Sequence, residues 1–191
     1  MKRIGILSLQ GDSASHRKCI EELKAEAVPV RYPDELQGVH GLILPGGEST
    51  TIGKLMKRHG LLSPLARKLE EGFPVFATCA GAVLLARRLA GDDLPRLAVM
   101  SVVVQRNAYG RQVDSFEADI VFSFLGPPPV RCVFIRAPII LESGKDVEIL
   151  GSFEERPVLV RQGKLLAATF HPELTADTRI HRYFLERVVG G

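Results

Sequence analysis

The sequence predicts an α/β fold: a mostly parallel central sheet with helices on both faces, followed by a β-rich C-terminal half. Two observations support this. Short apolar runs alternate with segments of helical periodicity through the first half, as in a sheet whose two faces are both covered. From about Val99 the helical spacing gives way to a series of short strand-like runs.

Taken in order, residues 4–9 (Ile-Gly-Ile-Leu-Ser-Leu) read as the first strand. Asp12 then offers an N-cap for a helix whose apolar residues Cys19, Ile20, Leu23 and Ala27 recur at helical spacing. A short second strand is expected at 28–31. A buried third strand at 41–44 ends at Pro45-Gly46-Gly47. Helices at 51–58 and 63–71 lead to a strand at 74–77, with Cys79 just beyond it and a helix at 82–89. Strands are expected at 99–105, 113–122, 132–135, 147–153, 157–160 and 165–170, mostly joined as hairpins. Gly126-Pro127-Pro128-Pro129 reads as a local turn. Ile180, Phe184 and Val188, four apart, predict an amphipathic closing helix over 177–189.

With 191 residues, 46% of them hydrophobic, the chain reads as one domain spanning 1–191. Charged residues make up 25% of it with both signs interspersed, so the net charge of +3 forms no basic face and nucleic acid is a poor candidate partner. Cys19, Cys79 and Cys132 are an odd number without metal-ligand spacing, which fits a reducing cytoplasm and no metal site. No signal peptide is evident at the N-terminus, and no apolar run approaches the roughly 20 residues a membrane helix needs.

Ligands of doubly wound sheets bind beyond the carboxyl ends of the strands. Three segments stand there: Gln10-Gly11-Asp12, Gly46 to Thr51, and Thr78 to Gly81. The last reads as a nucleophile elbow with cysteine in the serine position, crowded enough to need small residues at Ala77, Ala80 and Gly81. A helix starting there directs N–H groups at the sulfur and favours the thiolate. By itself Cys79 is equally compatible with a small buried apolar side chain. A thiolate also needs a base and a group that orients it, and His171-Pro172-Glu173 supplies both if an extended segment turns Glu173 to the imidazole's side. His16, His40, His59 and His181 read as solvated surface histidines.

Gly47 to Lys54 superficially matches a phosphate-binding loop, but five residues separate Gly47 from Gly53 where four are required, and Leu55 replaces the Ser or Thr. A Gly46-Gly47 pair instead suits an oxyanion hole, because backbone N–H groups can approach a ligand closely. No GxGxxG occurs to support a dinucleotide site. The polar stretch from Arg106 to Glu117 is compatible with a solvated hairpin.

Together these residues resemble the class I glutamine amidotransferases, and within them the glutaminase subunits of pyridoxal 5′-phosphate synthases. The similarity covers Leu9-Gln10-Gly11-Asp12, Leu44-Pro45-Gly46-Gly47-Glu48-Ser49-Thr50-Thr51, Thr78-Cys79-Ala80-Gly81, Arg106-Asn107-Ala108-Tyr109-Gly110-Arg111-Gln112 with Asp114-Ser115-Phe116-Glu117, Phe134-Ile135-Arg136-Ala137-Pro138 and His171-Pro172-Glu173-Leu174. It implies a three-layer sandwich and the hydrolysis of L-glutamine to glutamate and ammonia. It further implies a triad of Cys79, His171 and Glu173, an oxyanion site at the N–H groups of Gly47 and Ala80, and no cofactor. Gly47, Glu48, Ser49, Arg106, Ile135 and Arg136 would bind glutamine; which group meets which end is open. The implied partner is a barrel-fold synthase subunit that uses the ammonia, with Gln10, Gly11 and Asp12 as the candidate contact. Ala77, where the family more often has glycine, and Ser101, where it tends to have Asp, depart from the pattern; neither is expected to abolish activity. Service to a different synthase and a silent binding scaffold are the rival readings.

Overall fold

A computed structural model of the chain describes residues 1–91, 93–106 and 115–191. The first half runs β1 (Arg3–Leu7), α1 (Ser13–Glu22), β2 (Glu26–Val30), β3 (Gly41–Leu44), α2 (Ser49–Arg58), α3 (Leu62–Glu70), β4 (Val75–Thr78) and α4 (Ala80–Leu85). The second half adds β5 (Ala86–Ala90), β6 (Met100–Gln105), β7 (Ser115–Ile120), β8 (Val130–Ile135), β9 (Ile139–Ser143), β10 (Glu148–Phe153), β11 (Arg156–Gln162) and β12 (Leu165–Ala168). It closes with α5 (Arg179–Tyr183) and a π-helical turn, Phe184–Val188.

Seven strands form the central sheet in the order β10-β11-β12-β4-β3-β1-β2. The pairs β12–β4, β4–β3, β3–β1 and β1–β2 are parallel, while β10 and β11 extend one edge antiparallel. Side chains alternate across it as a pleated sheet requires. Leu42, Leu44, Val75, Ala77, Leu165 and Ala167 join Ile52, Met56, Leu65 and Leu84 of α2, α3 and α4 in one core. Ile43, Phe76, Leu166 and Ala168 join Ile20 of α1, Ile180 of α5 and Phe184 in the other. Helices therefore cover both faces, and the architecture is the expected α/β sandwich. The small sheet β5-β6-β9 contributes Val102, Val104 and Ile140 to the first core, and the β7–β8 hairpin contributes Ile120, Cys132 and Phe134 to the second.

Several boundaries differ from expectation. Ala27 lies not on α1 but in β2, opposite Ile4: the chain turns at Lys24 (φ 61°), and the free edge of β1 recruits 26–30 into its ladder. The helix after Cys79 stops at Leu85 rather than continuing to Leu89, because the Leu84 carbonyl accepts from the N–H groups of Leu97 and Ala98 and residues 86–90 pair in parallel with β6. Here tertiary pairing overrides the helical propensity of Ala-Arg-Arg-Leu. β9, unexpected from sequence, pairs antiparallel with β6, so β6 is not part of a simple hairpin series. Of the strand expected over 113–122, the first two residues lie outside the described ones, as does the 107–114 part of the polar stretch. The closing segment buries Ile180, Phe184 and Val188 as its spacing predicts. Among the described residues, no helix is long and apolar enough to cross a membrane.

Candidate active site

Strands β4 and β12 run side by side with Thr78 opposite Ala168, so the residues after both emerge at one end of the sheet. Cys79 follows β4 at φ 47°, ψ −105°, a conformation L-residues adopt only when their surroundings enforce it. Its N–H donates to the Ala168 carbonyl at 2.9 Å. Gly81 is required: a Cβ there would stand 2.3 Å from the Leu44 carbonyl oxygen. Ala77, the departure from the family's glycine, is fully buried. It sits opposite Leu44 and Ala167 in the ladder. The Cys79 thiol is 3.8 Å from the Ile135 carbonyl oxygen that accepts from it, at the end of β8.

His171 follows β12, its backbone N–H donating to Val133 of β8 at 2.8 Å. Its Nδ1 meets Glu173 Oε1 at 2.8 Å. The expected contact is present but its backbone is not extended: Pro172–Leu174 is a 3-10 turn, and the tight winding brings Glu173 back beneath the ring. Burial opposes charge on His171, yet its hydrogen bonds and charge interactions with Cys79 and Glu173 outweigh that, and its pKa is pushed up to about 10. The shift favours the protonated ring beside the sulfur. Gly46 makes room for it, since a Cβ on Gly46 would lie 2.3 Å from His171 Cε1.

A pocket of about 290 Å³ opens over these groups. Gln10, Gly47, Glu48, Ser49, Cys79, Ala80, Arg106, Ile135, Arg136 and His171 all line it, with Val83 and Pro138, which sequence reasoning did not single out. Glu48 is the N-cap of α2, its carboxylate accepting from the N–H groups of Thr50 (3.0 Å) and Thr51 (2.7 Å) and from Thr51 Oγ1. Burial would raise its pKa, but these hydrogen bonds prevail and lower it to about 2. Arg106 Nη1 donates to Thr50 Oγ1 at 2.8 Å and to Ser49 Oγ at 3.4 Å, so the first turn of α2 holds the guanidinium at the pocket. Gln10 Oε1 accepts from the Glu48 N–H at 2.9 Å. Gly11 packs against the Gly46 carbonyl, where a Cβ would come within 1.9 Å. Asp12 caps α1 by accepting from the Ser15 N–H. Ser101 lies apart from the pocket lining, its hydroxyl donating to Asp146.

His16 and His181 correct an expectation: neither is solvated, and both are fully buried. His40 is exposed, and His59 is half-buried with its ring 4.8 Å from that of Tyr32. The available signal was spacing. His16 precedes Cys19 and Ile20 by three and four residues on the inner face of α1, and His181 stands in the same relation to Phe184 and Leu185.

Known proteins share both sequence and shape with this chain. A relative from Pelotomaculum thermopropionicum, the pyridoxal 5′-phosphate synthase subunit PdxT, is 54% identical over 187 residues, covering 98% of this chain and 95% of the relative. The protein of the same name from Moorella thermoacetica is 53% identical over 186 residues, covering 97% and 99%. A crystal structure described as a glutamine amidotransferase superposes with a TM-score of 0.93 at 49% identity, covering 98% of this chain and 99% of that one. The profile of the SNO glutamine amidotransferase family matches residues 6–190, and with cysteine, histidine and carboxylate gathered where its strands end, the chain belongs to that family.

Proposed function

We propose that Cys79, His171 and Glu173 hydrolyse the side-chain amide of L-glutamine through a glutamyl thioester. The observation that carries this reading is the Glu173-bound His171 ring beside a cysteine held in a left-handed elbow, both at an open pocket. The Cys79 thiolate attacks the amide carbon, and the carbonyl electrons move onto oxygen, where the N–H groups of Gly47 and Ala80 receive them. The oxyanion collapses, the C–N bond breaks, and the His171 imidazolium passes its proton to the departing nitrogen, releasing ammonia. His171, now neutral, takes a proton from water. The resulting hydroxide adds to the thioester, the C–S bond breaks, and glutamate leaves. Glu173 holds Nδ1 protonated throughout, so that Nε2 is the nitrogen that exchanges protons.

Gly47, Glu48, Ser49, Arg106, Ile135 and Arg136, all at the pocket, bind the glutamine. Because the Glu48 carboxylate also caps α2, glutamine reads a group whose position is fixed before it binds. As a member of this family with PdxT relatives, the chain is a glutaminase subunit that works with a synthase subunit and supplies ammonia for pyridoxal 5′-phosphate formation. We further propose that the synthase subunit is a barrel, that Gln10, Gly11 and Asp12 face it, and that the 1–191 unit acts as one domain in the cytoplasm. Glutamate release measured with and without the synthase subunit tests the assignment. Turnover should rise several-fold in its presence, and equal turnover would refute the coupling.

A further inference from the structure

The catalytic site leaves one buried cluster unexplained. Behind Glu173, His16 of α1 and His181 of α5 meet with His16 Nδ1 3.0 Å from His181 Nε2. His16 Nε2 lies 3.2 Å from Thr78 Oγ1 and 3.5 Å from Glu173 Oε2. Both imidazoles, Thr78 and the Glu173 side chain are cut off from solvent. The Phe76 ring closes the cluster, its centroid 6.3 Å from that of His16 and 5.5 Å from that of His181. Among the described residues, two polar atoms here have no hydrogen-bond partner, Glu173 Oε2 and His181 Nδ1. A buried carboxylate oxygen without a donor is costly, so the proton that faces it matters.

We infer that His16 is a positioning residue of the triad: a neutral imidazole carrying its proton on Nε2, it presents that N–H to Glu173 Oε2 and Thr78, and His181 Nε2–H locks the tautomer by donating to His16 Nδ1. The alternative tautomer can be ruled on by charge. With the proton on Nδ1, the His16 Nε2 lone pair would face the carboxylate at 3.5 Å, and the His181 Nδ1–H would be a buried donor with no acceptor. Burial keeps both rings neutral, lowering His16 in spite of Glu173 and Asp12 and lowering His181 still further. Glu173 is thereby held at both oxygens, one by His171 and one by His16. The carboxylate plane, and through it the orientation of His171, is set by two helices packed on the face of the sheet opposite α2, α3 and α4.

This inference rests on the Cys79–His171–Glu173 reading, and two independent measurements test it. In 15N-histidine-labelled protein, Nε2 of His16 and of His181 should give protonated, pyrrole-type signals and both Nδ1 atoms unprotonated, pyridine-type ones. A pyridine-type Nε2 on His16 overturns the inference whatever the kinetics show. In the assembled complex with the synthase subunit, H16L should lower kcat for glutamate release by about tenfold or more with KM for glutamine within about twofold, the scale seen when a partner orienting a functional histidine is lost. H16Q, whose amide can place an N–H near the same oxygen, should recover most of that loss. Wild-type kcat in H16L refutes the positioning role, as does an H16Q protein that is folded but as slow as H16L. If H16L fails to fold, H16Q and the tautomer signals decide. Cys79→Ala serves as the control: if it still turns over, the triad reading fails, and the tautomer assignment is judged on its own.

Discussion

The site has two unlike sides. Its front, made of Gln10, Glu48, Ser49, Arg106 and Arg136, is polar and partly open, and its side chains are held mostly by the first turn of α2. Behind the lining, the cluster of Glu173, His16, Thr78 and His181 is sealed between the sheet and two helices. The front can yield to a substrate because water replaces any contact it loses. The back cannot, since its polar atoms are sealed from any water that could replace a lost contact. The proposed chemistry, which depends on a fixed proton, thus falls on the sealed side, and the proposed recognition on the wet one.

Changes at the reacting groups should separate the two sides most sharply. Cys79→Ala should lower glutamate release by at least about a thousandfold while glutamine still binds, as calorimetry can check. Gly46→Ala adds a methyl that meets His171, and a displacement of that size should cost about a hundredfold in kcat in a steady-state assay. On the front side, Arg106→Ala should raise KM for glutamine about tenfold and spare most of kcat, the signature of a group that binds without reacting. If kcat falls instead, the division between the sides fails.

Two smaller effects concern stability. His171 titrates at about 10 when folded against an ordinary 6.5, so its protonated contacts stabilise the fold fully below about pH 6.5 and are lost as pH rises through about 10. Thermal melts of wild type and His171→Ala should differ in slope between those limits, with wild type the steeper decline. Glu48→Ala removes the α2 cap and should cost about 1 kcal/mol, a shift of about 2–4 °C in Tm. With its pKa drawn down to about 2 from 4.5, the Glu48 contribution is present above pH 4.5 and lost as pH falls through about 2.

The residues legible in sequence were those whose chemistry is announced by neighbours along the chain. Cys79 between small residues after an apolar run, the Gly46-Gly47 pair and His171-Pro172-Glu173 each carry their signal within a few positions. The parallel core strands 41–44 and 74–77 were legible for the same reason. β5 and β9 were not, because Ala-Arg-Arg-Leu is helical by propensity and residues 139–143 become a strand only by pairing with β6. His16 and His181 were read as wet because the burial of a polar side chain depends on which partner waits inside, and Glu173 and Thr78 are far away in sequence.

The insertion of β12 beside β4 has a consequence for how the molecule comes into being. Cys79 leaves the ribosome long before His171, and the strand that carries the histidine to it is the last of the sheet. Until that non-local pairing closes, the Cys79 N–H lacks its Ala168 acceptor and the thiol has no base beside it. A chain that has not yet added β12 therefore carries Cys79 without the proposed triad, which is assembled only as the sheet is completed.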